Sequence, residues 1–157
     1  MSAPKDFSHL DLAGRDFIEA NMFGANLAGA NLAGAYLREA SLREADMYEA
    51  DLYGADLACA DLTIARLEQA KLRNADLLNA DMSRACLHHA NLFEASLKWA
   101  NLAQANLRKA NLASANLTDA CLIEADLTGA DLTGADLSGA KLDNVIWPEG
   151  WKLVRGE

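Results

Sequence analysis

Proline is nearly missing from this chain: Pro4 and Pro148 are the only two, so nothing between them removes a backbone donor from a ladder. Basic residues are scarce beside acidic ones, 14 against 23, giving a net charge of −9. That balance excludes direct nucleic-acid binding, which rests on clustered Lys and Arg. The three cysteines, Cys59, Cys86 and Cys121, form an odd set without framework spacing and read as free thiols in a reducing compartment. No run of about 18 apolar residues occurs, so no membrane-spanning helix is expected. The opening Met1-Ser2-Ala3-Pro4-Lys5-Asp6 lacks the pattern of a signal peptide, and the expected location is the cytoplasm.

What the sequence has is a beat. Every fifth residue from Ala20 to Ala140 is alanine, and two residues after each comes Leu, or Met at 22, 47 and 82. Asp or Asn usually stands between them, as in Ala25-Asn26-Leu27. Ala and Leu favour helices by propensity, but the period does not. At about 100° per residue, five residues leave roughly 140° between successive leucines, which smears them around a helix. A straight strand fails as well, because an odd repeat sends successive leucines to opposite faces. The remaining solution bends once per repeat in one sense and stacks its turns as a β-solenoid. Eight of the ten glycines stand two residues after the central apolar position, where a type II turn needs positive φ.

These A-(D/N)-L-x-x units resemble the pentapeptide repeat family, and matching units run from Lys5 to Asn144. The resemblance implies an all-β fold, a right-handed quadrilateral β-helix with four pentapeptides per coil. About seven coils would follow, roughly 34 Å long at the inter-strand spacing. The expected organisation is a lead-in over 1–4, the repeat over 5–144 and an apolar cap or tail over 145–157. Lys5, Leu10 and Arg15 replace alanine in the first repeats. Long cations at inward sites fit an open end, uncovered or covered by another molecule.

Twenty residues per coil places positions 20 apart on one face. One corner column then holds Gly14, Gly34, Gly54, Asn74 and Gly134, with Glu94 and Ser114 as exceptions, and type II turns are expected there more consistently than in the other columns. Tyr53, Arg73 and Phe93 stack on that side as an aromatic–cation ladder. The next face gathers Asp16, Glu19, Glu39, Asp56, Asp76, Asp119 and Asp136 against Arg38 and Lys98, and Trp99 projects among them. An exposed Trp in such a setting is a candidate protein contact. Beyond Asn144 the beat stops, and Trp147, Trp151 and Leu153 read either as a cap on the last coil or as a dimer interface.

Chemistry is dispersed on such a scaffold. His88 and His89 have no further Cys or His placed to complete a zinc site, and no phosphate loop or nucleophile elbow occurs. A leucine-filled interior leaves no substrate pocket. No catalytic residue, metal or cofactor is therefore expected. The reading is a rigid protein-interaction or structural scaffold with an unidentified protein partner, and self-association through an end coil. The alternative carried by the resemblance is a DNA-mimic modulator of a type II topoisomerase, DNA gyrase, of the quinolone-protection type. Its charge is thin: duplex DNA places about 20 charges along 34 Å, against a net −9 here.

Overall fold

The computed structural model describes residues 5–151. Each pentapeptide makes one parallel bridge, at the residue before the central leucine, to the residue 20 positions on. The register runs unbroken from Asp6↔Asn26 to Asp126↔Ile146. Four pentapeptides thus complete a coil, and the chain is a β-solenoid with four corners per coil. The paired stretches do not lengthen into extended strands among the described residues, because a corner follows every bridge.

Backbone groups are satisfied between coils in a fixed pattern. Phe7 N–H donates to Asn26 C=O (2.7 Å), Asn26 N–H returns to Lys5 C=O (2.9 Å) and His9 N–H reaches Ala28 C=O (2.9 Å). A fourth bond, Leu10 N–H to Phe7 C=O (3.2 Å), closes the corner itself. The Asp or Asn side chain serves the same corner: Asp76 Oδ1 accepts from Leu78 N–H at 3.0 Å, and Asn101 Oδ1 from Ala103 N–H at 3.2 Å. Either residue type supplies that acceptor, which is why they interchange.

Leucines from Leu27 to Leu127 and the alanines beside them form one continuous core, with no polar or charged side chain buried among the described residues. Alanine is required where the coil wall turns inward and a longer side chain has no volume to fill. The core opens at its ends, where Phe7, Leu12 and Phe17, and then Leu137, Leu142 and Trp147, are only partly buried.

Two expectations need correction. The corner conformation does not favour one column: the residue two after the centre has positive φ in every repeat from His9 to Asn144, glycine or not. Three inter-coil bonds per repeat over-determine the corner, so closure of the coil sets φ and the residue complies. Secondly, the register does not end at Asn144. Ile146 N–H donates to Ala125 C=O (3.0 Å) and Leu127 N–H to Ile146 C=O (2.8 Å). Val145, Ile146 and Trp147 thereby occupy the Ala, Asn and Leu places of one more repeat. Leu153 lies outside the described residues.

Compliance at the corners is most strained at Ile64, a β-branched residue at φ 61°. The left-handed region costs an L-residue about 1–2 kcal/mol, and glycine escapes that at a chain-entropy cost of about 0.5–1 kcal/mol. Ile64→Gly is therefore expected to raise the unfolding free energy by about 1 kcal/mol in urea titration. A destabilised variant would show that Ile64 contributes more through contacts than its backbone costs.

Candidate functional site

Twenty-residue coils turn the sequence columns into physical ones. Asp16, Asp56, Asp76 and Asp136 lie in one bridge column with Tyr36, Ser96 and Asn116 between them. Glu19, Glu39, Trp99 and Asp119 occupy the corner column beside it, each at positive φ. The acids share a face but do not converge. Asp56 is paired with Arg38 (2.9 Å), and Asp16, Asp56, Asp76 and Asp136 each accept a corner N–H through Oδ1. In Asp136 the Ser138 hydroxyl and N–H hold the carboxyl below its usual range, and Thr133 does the same for Asp131. At Asp126 partial burial opposes the shift, but Thr128 and Arg108 outweigh it. These carboxylates are structural acceptors as much as surface charges.

Trp99 is the fixed point of that face. It is 53% exposed, its indole N–H donates to Asp119 Oδ2 at 3.1 Å, and Lys98 Nζ lies 4.5 Å from the ring centre. An aromatic ring held this way contributes contact area at little further entropy cost. On the neighbouring face the ladder forms in its lower half. Arg73 stacks over Phe93 at 4.9 Å and approaches Glu94 at 3.8 Å, whereas Tyr53 stands 51% exposed.

Three features escaped the sequence reading. Arg43, Thr63, Ile64, Ser83, Arg84 and Gln104 line a shallow surface groove, and Arg84 and Gln104 continue by hydrogen bonds to Glu124. Secondly, Glu68 has a buried oxygen without a hydrogen-bond partner among the described residues. It neighbours Cys86, whose thiol is pushed up first by burial and also by Glu68. Thirdly, apolar side chains crowd the first coil: Leu10, Ile18 and Phe23 are 47%, 47% and 54% exposed. At the other end Trp147 and Trp151 stack at 4.5 Å, nearly parallel, and pack on the core. No cluster of three or more His, Cys, Asp or Glu suited to a metal occurs among the described residues. No helix among them is long and apolar enough to cross a membrane.

The chain belongs to the pentapeptide repeat family. The family model for pentapeptide repeats matches residues 6–34, 20–58, 60–98, 90–129 and 110–146, in 8 copies. HetL, a pentapeptide repeat protein from the cyanobacterium Nostoc involved in heterocyst differentiation regulation, is 38% identical. That match covers 93% of this chain and 78% of HetL, with a TM-score of 0.35. A pentapeptide repeat protein from the Arabidopsis thaliana thylakoid lumen is 27% identical over 68% of this chain and 70% of its own, with a TM-score of 0.51. QnrB1, a plasmid-mediated fluoroquinolone resistance protein, shares the fold: TM-score 0.59, 21% identity, 85% of this chain and 80% of QnrB1 covered. No curated protein matches the sequence.

Proposed function

We propose that this protein is a non-catalytic rod that presents one or more outward faces to a protein partner. The observation that carries the reading is the division of labour in each repeat. Inward positions are nearly invariant and, from Leu27 to Leu127, fully buried, no polar side chain is buried among the described residues, and the chemical variety points outward. The proposal includes a right-handed coil, as the family resemblance implies, and about seven coils, from four pentapeptides per coil. Within the surface, the acidic face that carries Trp99 is the proposed contact, because it combines a half-exposed Trp pinned by Asp119 with further carboxylates along the same face. The Arg73–Phe93 stack is the second candidate. The cap role belongs in the same proposal, supported by the packing of Trp147 and Trp151 against the core. A cytoplasmic setting is proposed from the reduced-thiol composition alone.

Gyrase modulation is less well supported. The resemblance to QnrB1 is one of fold, and the net −9 remains far below the charge of the duplex it would imitate. Immobilised full-length protein should capture a partner whose binding, re-measured with both components purified, weakens at least about tenfold in Trp99→Ala. Equal binding by Trp99→Ala and Arg73→Ala would remove both faces from the proposal. Inhibition or protection of gyrase supercoiling at micromolar protein would reinstate the alternative.

A further inference from the structure

The two ends of the solenoid are chemically different. A bridge residue points both its N–H and its C=O toward the N-terminal side: Asn26 donates to Lys5 C=O and accepts from Phe7 N–H. In the first coil the same two groups of Asp11 and Asp16 therefore face off the end, and neither has a partner among the described residues. The side closed by Asn21 differs, because Lys5 Nζ donates to the Asn21 carbonyl at 3.1 Å. At the far end the exposed groups belong to residues flanking the bridge, one per residue, and Trp147 and Trp151 stack on the core there.

We propose that the open half of the first coil, Leu10 to Ile18, is the interface of a two-fold homodimer. A residue that presents both its N–H and its C=O is what an antiparallel hydrogen-bonded pair requires of each member. A two-fold axis through the corner between Asp11 and Asp16 lays each copy's Asp11 side over the partner's Asp16 side. The strands then run antiparallel, and Asp11 and Asp16 exchange both bonds, twice by symmetry. Apolar cover is in place on the same half: Leu10 and Ile18 are each 47% exposed, with Leu12 and Phe17 partly buried between them. The pairing sets Asp11 opposite the partner's Asp16, like charges that oppose it, and a cation at the corner offsets them. Arg15, exposed and without a carboxylate within 4 Å among the described residues, lies at that corner between two acids in each copy. Head-to-tail stacking would have to displace the Trp147–Trp151 pair, so the assembly closes at two rather than growing into a fibre.

One coil end is small beside the about 800 Å² per partner of a standard interface, so a micromolar dimer is expected. The test is sedimentation equilibrium of the full chain from about 1 to 200 µM, with circular dichroism verifying the fold of each variant. Wild type should be a monomer–dimer system. Arg15→Glu and Ile18→Lys, both at exposed positions, should each raise the dissociation constant about 30-fold or more, while Trp151→Ala changes it less than about threefold. A monomer throughout, or species that grow beyond two, would overturn the proposal. So would a dimer that Trp151→Ala weakens and Ile18→Lys does not. None of these outcomes bears on the partner-binding face at Trp99, so the two proposals fail separately.

Discussion

Truncating Leu72 to alanine is expected to lower the unfolding free energy by about 2–5 kcal/mol. The side chain is completely buried and stacks between Leu52 and Leu92 of the adjacent coils. Those coils cannot close on the void. Leu52 N–H to Lys71 C=O (2.9 Å) and Leu72 N–H to Asn91 C=O (2.7 Å) hold the spacing by backbone bonds that the substitution leaves in place. The cost therefore includes an unrelaxed cavity as well as the lost transfer energy. Leu142→Ala, at the partly open end of a different stack, should cost about 1 kcal/mol or less, since much of that surface already meets water. Urea unfolding of the two variants against wild type measures both. A loss below about 0.5 kcal/mol at Leu72 would contradict a tightly packed leucine column. Because each coil contacts only its neighbours, the central variant should also broaden the transition by weakening the coupling between the two halves.

The fold was legible because its period defeats both helix and straight strand, and because a buried column tolerates few residues. Leu72 and Ala75 are of that kind: their identities are dictated by the space they fill. The corner conformation is not legible in the sequence, for the opposite reason. Glycine at Gly34 and Gly54 advertises positive φ, but Glu39, Ile64 and Trp99 adopt the same angle with no glycine to announce it. Closure of the coil decides the conformation, and the side chain reports only its cost. The C-terminal boundary failed on chemistry: Val145-Ile146-Trp147 shares no residue with Ala-Asn-Leu, yet it places a small apolar, a bridging and a large apolar group in the same order. Surface columns could be counted out in steps of 20, which located Trp99 beside Asp119 and Arg73 beside Phe93. Contacts between different positions of the repeat, such as Glu68 with Cys86, depend on side-chain reach and could not be counted.

Placing a charge in the alanine wall should be more damaging than any cavity. Ala75 is 1% exposed, and Ala55 and Ala95 occupy the equivalent place in the coils on either side. Ala75→Arg would add a long side chain where there is no volume, costing about 1–3 kcal/mol in overpacking. It would also strip water from a guanidinium with no carboxylate in the core to receive it, at several kcal/mol more. The expected result is a loss of about 5 kcal/mol or more, enough to abolish cooperative unfolding in a domain of this size. Ala20→Arg makes the same chemical change where the wall is only partly buried, one repeat after Arg15. There the stem can lie along the first coil while the head reaches water, as Lys5 does in bonding the Asn21 carbonyl, and the cost should be about 1 kcal/mol or less. Circular dichroism in urea on the pair gives the contrast directly. Equal stability of the two would mean that the alanine beat is not a packing constraint, and that the inward wall has room for larger groups along its whole length.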